Sequence, residues 1–288
     1  MNATVVSRAE LNQRLRQELS VKRVAIGLLV AVIGISCVFW KPLWGLLLLT
    51  IGILSSVELA RLTQRAGAAA SPWVVIPAVV TYQVATYFGF VEENESGILV
   101  ALVFASMIAA FAGGVDRFAA RWGANLVVSL YLGKVASYLI AIRLIGHHGY
   151  HGAAYTLWLI IVVALTDIVS MVAGLQFGRT PLAPRISPGK TWEGAIAAFA
   201  VASGAGTLLG FVPQIAAPWY FGLAFAGGIS IAAQLGDLVE SALKRNAQVK
   251  NSGGLIVGHG GVLDRFDSYF LAGAVGYAVL LWFGRVAV

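Results

Sequence analysis

Apolar runs of about 20 residues recur along this chain so closely that little room is left for anything else, and each can cross a hydrocarbon core of about 30 Å. They fall near residues 24–40, 43–60, 73–90, 97–115, 123–142, 153–178, 194–214, 217–243 and 267–286. Backbone in lipid must satisfy its own hydrogen bonds, so such runs read as helices. The expected fold is all-α: a polytopic integral membrane protein of about nine transmembrane helices. Composition agrees, at 59% hydrophobic and 11% charged residues, against roughly 25% charged in soluble domains.

The basic residues set an orientation. With the N-terminus in the cytoplasm, only Lys41, Arg143 and Arg285 fall outside, together with Glu92, Glu93 and Glu95, and Lys134 lies within a span. All other Lys and Arg fall inside, as the positive-inside rule requires. A net charge of +7 is therefore spread over loops facing anionic headgroups, which argues against a nucleic-acid partner. The single cysteine, Cys37, excludes an intramolecular disulfide and a multi-thiolate metal site. A charged arm of over twenty residues precedes the first run without a small-residue cleavage site, so that run is expected to be an uncleaved anchor.

Three regions follow: a cytoplasmic arm (1–23), an N-terminal transmembrane region (24–150) and a C-terminal transmembrane catalytic region (151–288). In the arm, Ser7 and Glu10 have capping-box spacing, and Leu11, Leu15 and Leu19 repeat every four residues, so Ser7 to Arg23 reads as an interfacial amphipathic helix. Glu58 and Lys134 are the charged exceptions of the apolar N-terminal region. Glu58 either faces the bundle interior or snorkels and pairs with Arg61. Lys134 is expected to pair with a carboxylate of another helix, and His147, His148 and His151 read as solvated loop residues.

The C-terminal region carries the chemistry. Asp237, Glu240, Ser241 and Lys244 are spaced i, i+3, i+4 and i+7, which puts them on one helical face. Unpaired charge there costs several kcal/mol, so this stripe must meet partners, water or a cation. Asp264 and Asp267 share a face at the start of the last helix. Carboxylates without thiol or imidazole partners favour a hard cation such as Mg2+, held by one or two side chains plus substrate phosphates. Lys244, Arg245, Lys250 and Arg265 surround these acids, and Gly253, Gly254, Gly258, Gly260 and Gly261 let backbone amides approach a phosphate.

The segment from Phe177 to Gly194 adds Arg179, Arg185, Lys190 and Thr191. Its Gly-Lys-Thr is not a Walker A loop, because Pro184 stands where the first glycine must be. Ser187 is expected to be the N-cap and Pro188 the first helical residue of the next span. That exposed helix end would receive a phosphate, with Ser187, Lys190 and Thr191 as substrate contacts. Asp167, Ser170 and Gly174 give the preceding span a polar, small face suited either to close helix packing or to lining the same cavity.

These residues carry a family resemblance over roughly 160–285. GDLVESALKR from Gly236, Lys250, Ser252-Gly253 and GHGGVLDRFDS from Gly258 closely resemble the signature of bacterial phosphatidate cytidylyltransferases, or CDP-diacylglycerol synthases, and ISPGKTWEG from Ile186 is similar to a second conserved segment of that family. The resemblance implies transfer of CMP from CTP to phosphatidate, giving CDP-diacylglycerol and pyrophosphate with one or two cations, Mg2+ and a second cation beside it. It implies Asp237 and Asp264 as metal ligands. Lys190, Lys244, Arg245, Lys250, His259 and Arg265 would contact nucleotide or lipid phosphates, supported by Ser241 and Asp267. A homodimer in the bacterial cytoplasmic (inner) membrane, with its site facing the cytoplasm, is also implied.

The chain departs from the family pattern at Asn251, where aspartate is usual, and at Val257, where proline is usual. Those departures open an alternative, cytidylyl transfer to another lipid phosphate. Charges within spans, such as Lys134 and Asp237, open another: a transporter or catalytically silent lipid-binding paralogue.

Overall fold

The computed structural model describes residues 21–146, 150–254 and 260–286. Among them nine helices follow in order: α1 (Val21–Val38), α2 (Lys41–Arg65), α3 (Pro72–Tyr87), α4 (Val91–Ala112), α5 (Phe118–Leu144), α6 (Tyr150–Phe177), α7 (Trp192–Leu209), α8 (Trp219–Asn246) and α9 (Leu263–Trp282). Six of these, α2 and α4 to α8, are long and apolar enough to cross a membrane. The chain is an all-α polytopic membrane protein, as the apolar runs dictate. Its lipid-facing sides carry large exposed apolar residues such as Ile108, Val127 and Leu208, which only hydrocarbon surroundings accommodate in such number.

Helix ends depart from the apolar windows where polar residues continue the hydrogen-bond ladder. α4 begins at Val91, so Glu92, Glu93 and Glu95 occupy its first two turns rather than a loop; acidic side chains are favourable at a helix N-terminus. α8 continues through Lys244 and Arg245 to Asn246, and α9 starts at Leu263, four residues before the apolar window. The arm expected from Ser7 to Arg23 lies outside the described residues up to Ser20, while Val21–Arg23 already belong to α1.

The middle of α5 is a π-helical turn, Leu130–Val135. Wide turns of this kind displace a side chain from its α-helical register. Lys134 lies within it and pairs with Glu95 of α4 at 2.8 Å, the interhelical carboxylate partner expected. Among the histidines, His147 and His148 lie outside the described residues; His151 belongs to the first turn of α6, with Nδ1 2.9 Å from the Gln214 carbonyl.

The C-terminal helices α6 to α9 pack serially, α6 on α7, α7 on α8 and α8 on α9. At one end they are held by an aromatic cluster in which the rings of Trp158 and Phe225 stand 4.5 Å apart, with Phe221 beside both. Towards the other end glycines bring backbones together: a side chain at Gly236 of α8 would run into the Asp267 carbonyl of α9, and one at Gly194 of α7 into the Ser170 carbonyl of α6. The polar stripe of α8 is thereby pressed against the start of α9.

Candidate active site

The site lies at the end of the bundle where α6 and α8 finish and α7 and α9 begin. The stripe predicted on α8 is present. Ser241 donates to Asp237 Oδ1 at 3.2 Å, and Lys244, one turn on, forms an ion pair with Glu240. Lys244 Nζ also reaches across to Asp264 Oδ1 of α9 at 2.7 Å. A single ammonium therefore ties two helices through two carboxylates, and desolvation makes each bond stronger than at a surface.

Asp264 is the hub of the glycine-rich tract. Its Oδ2 accepts the Ser252 amide at 3.0 Å and the Gly261 amide at 2.8 Å. Gly260 has φ +86° and its α-carbon faces this carboxylate closely, so any side chain would collide with Asp264. The glycine there is required twice, by backbone conformation and by approach. Asp267, buried one turn further on, accepts the Ser268 amide at 2.7 Å. His259 and Val257 lie outside the described residues.

Glu58 is the member that local pattern left open, and it faces inward. It is 1% exposed and accepts from the Ser252 hydroxyl at 3.1 Å and from the Val262 and Leu263 amides at 3.1 and 2.9 Å. Those amides are the unsatisfied donors at the start of α9, so a carboxylate from α2 caps a helix about two hundred positions away. Side chains at Gly253 or Gly261 would strike this carboxylate. Snorkelling beside Arg61 is thus replaced by a buried clamp between the N-terminal region and the site.

The segment before α7 corrects an expectation. Ser187–Thr191 is a strand, β2, paired antiparallel with β1 (Pro181–Ala183), and not the beginning of a helix. The N-cap of α7 is Thr191, whose hydroxyl accepts the Gly194 amide at 3.2 Å. Ser-Pro carries the same local signal for a cap as for a turn into an extended strand; here the Arg179 and Thr180 amides are held by the Glu193 carboxylate at 3.1 Å, which fixes the hairpin. Ser187 consequently sits on the hairpin, away from any helix end. Lys190 is brought by β2 to Asp237, 2.6 Å from its Oδ2, and Arg245 Nε donates to the Ile186 carbonyl at 3.2 Å. The hairpin thus closes over α8.

Asp167, Asp237, Glu240, Asp264 and Asp267 line one cavity of about 430 Å³ with Lys244, Arg245, Lys250 and Arg265; Ser241, Asn251 and Ser268 complete it. Of the small face on α6, Asp167 lines this cavity while Ser170 and Gly174 receive Gly194, so both readings hold for different residues. Of the predicted site residues that are described, Asp237, Ser241, Lys244, Arg245, Lys250, Asp264, Arg265 and Asp267 line this cavity and Lys190 reaches it through Asp237, while Ser187 lies on the hairpin and Thr191 is taken up in capping α7. The donor set is wholly oxygen, and Glu240 Oε1 is buried without a hydrogen-bond partner among the described residues. That chemistry fits a hard cation, although each carboxylate oxygen of Asp264 already faces a donor, so a cation there would have to displace Lys244.

The model of the cytidylyltransferase family matches residues 21–283. The chain belongs to the cytidylyltransferase family. Over 222 residues it is 32% identical to a phosphatidate cytidylyltransferase of Helicobacter pylori (strain ATCC 700392 / 26695), covering 73% of this chain and 82% of that relative. A phosphatidate cytidylyltransferase of Bacillus subtilis (strain 168) is 37% identical over 157 residues, 54% of this chain and 57% of the relative. One from Brucella abortus biovar 1 (strain 9-941) is 44% identical over 127 residues, 44% of this chain and 46% of the relative. The chain therefore spans most of the Helicobacter relative and about half of the other two. Within the cytidylyltransferase family match fall every helix described and the clamp at Glu58.

Proposed function

We propose that this protein transfers CMP from CTP to phosphatidate, releasing CDP-diacylglycerol and pyrophosphate, in the bacterial cytoplasmic membrane with its cavity open to the cytoplasm. The observation that carries the reading is the pairing of Lys190 with Asp237 and of Lys244 with Asp264 around one cavity, in a chain whose relatives bear that activity in their names.

An oxygen of the lipid phosphate attacks the α-phosphorus of CTP, and the bond from that phosphorus to the bridging oxygen of the β-phosphate breaks. The second pKa of a phosphate monoester is about 6, so the nucleophile is already largely ionised at neutral pH and no strong general base is needed. Positioning and charge neutralisation supply the catalysis. Lys190 and Lys244 are stored on carboxylates in the free protein and can turn to the triphosphate as it enters. Arg245, Lys250 and Arg265 line the same cavity and add the planar and point cations that phosphates accept.

Charge bookkeeping calls for one component more. Five carboxylates and four cationic side chains line the cavity, and Lys190 pairs with Asp237, so the cations already have carboxylates beside them when two polyanions enter. Asp237 and Asp264 are the residues we assign to hold Mg2+, which when bound neutralises the reacting phosphates and the departing pyrophosphate. Ser241 orients Asp237 through its hydrogen bond, and Asp267 lines the same cavity.

A second reading keeps the chemistry and changes the acceptor, because Asn251, a departure from the family pattern, lines the cavity itself. Labelled CTP offered with a panel of lipid phosphates separates the two: the first predicts a clear preference for phosphatidate, and a preferred isoprenoid phosphate would reject it. Asp237→Ala, assayed beside the wild type, is expected to lose at least about 100-fold in rate; full activity in that variant would dismiss Asp237 as a ligand. A transporter or silent paralogue predicts no pyrophosphate at all.

A further inference from the structure

Arg265 lines two cavities. On one side is the polar site; on the other is an apolar chamber of about 490 Å³ lined by α1, α2, α5, α6 and α9. Phe266 and Tyr269 of α9 line the chamber close to Arg265, Trp44 and Thr156 line it further on, and Gly34 of α1 and Ala164 of α6 form part of its walls. Along α6 alone, Thr156 to Ala164 spans about 12 Å at 1.5 Å per residue, a large share of one leaflet of a core about 30 Å thick. A cationic side chain thus stands where a phosphate-sized polar cavity gives way to a hydrocarbon-sized apolar one.

We infer that this chamber seats an acyl chain of the lipid phosphate substrate and sets which chain lengths are processed. The inference rests on the cytidylyltransferase reading above and adds a specificity element to it. Continuity through Arg265 assigns the chamber to the substrate and not to a bystander lipid, since a phosphate placed beside that guanidinium in the polar site leaves its glycerol and chain directed to the apolar side.

Selection there works by shape. A chain leaving the bilayer exchanges one apolar surrounding for another, so no hydrophobic gain accompanies entry. What the chamber contributes is close packing, which rewards a chain that fills it and penalises one that overfills it.

Gly34 offers a direct handle. A β-carbon there would meet no atom within 4 Å, so a larger side chain projects into open space and not into protein, and helix propensity improves. In purified protein, Gly34→Phe is expected to lower kcat/KM for dipalmitoyl phosphatidate by about tenfold relative to dihexanoyl phosphatidate, with KM for CTP unchanged. Ala164→Leu narrows the chamber from α6 and should move the ratio the same way, which keeps the test decisive if the α1 variant does not fold. Leu208→Phe, at an exposed position of α7, leaves the ratio alone. An unaltered long-to-short ratio in both folded, active chamber variants overturns the chamber assignment alone. Absence of CMP transfer to either lipid by the wild type removes the underlying function and this inference with it.

Discussion

Asp264→Asn lowers the rate of CMP transfer by about 1000-fold, corresponding to about 4 kcal/mol of transition-state stabilisation. The substitution keeps the shape of the side chain and reverses its hydrogen-bonding character at one of two ends. Oδ1 faces the Lys244 ammonium at 2.7 Å, and Oδ2 faces the Ser252 and Gly261 amides at 3.0 and 2.8 Å. All of these are donors, so an amide nitrogen at either position meets another donor and the charge that holds Lys244 is gone. Loss of the proposed cation ligand adds to this. The measurement is kcat with saturating CTP, and the loss should fall mainly on kcat, because Arg245 and Lys250, proposed to hold the ground-state nucleotide, are untouched. Lys244→Met should cost nearly as much alone, and the double variant little more than either single one, since the two act as a unit. Simple additivity of the two losses would show that Lys244 and Asp264 work separately.

Glu58→Leu destabilises the protein by about 3 kcal/mol or more and abolishes activity, although Glu58 does not line the polar cavity. Leucine fills the space but leaves the Ser252 hydroxyl and the Val262 and Leu263 amides without their acceptor. A buried donor stripped of its partner costs roughly 1–3 kcal/mol, and three are released together. The melting temperature in detergent should drop by on the order of 10 °C. Glu58→Gln retains one acceptor oxygen and should recover part of both stability and rate. If Glu58→Leu melts at the wild-type temperature, the clamp between α2 and the start of α9 is not what organises the glycine-rich tract.

What the sequence disclosed and what it hid divide along the range of the interactions. The stripe Asp237, Glu240, Ser241 and Lys244 follows from helical periodicity alone, and so does the shared face of Asp264 and Asp267. Lys134 in an apolar run predicts a carboxylate partner, since burial without one is too costly, but not that the partner is Glu95. Glu58 was open because its partners lie some two hundred residues away, where no local pattern points. Ser187 and Pro188 misled for the opposite reason: the local signal was strong and shared by two structures, and the Glu193 carboxylate, which gathers the Arg179 and Thr180 amides, decided for the hairpin. The π-turn around Lys134 left no trace that periodicity could detect. The apolar chamber beside Arg265 is assembled from five helices, and its residues are indistinguishable in sequence from ordinary lipid-facing or core positions.

Purified protein in detergent, supplied with CTP, Mg2+ and phosphatidate, tests the central claim most directly through the pyrophosphate it releases. Stoichiometric pyrophosphate and CDP-diacylglycerol are expected, with neither product when diacylglycerol replaces phosphatidate. No pyrophosphate above a no-enzyme control, from protein shown to be folded, would contradict the account.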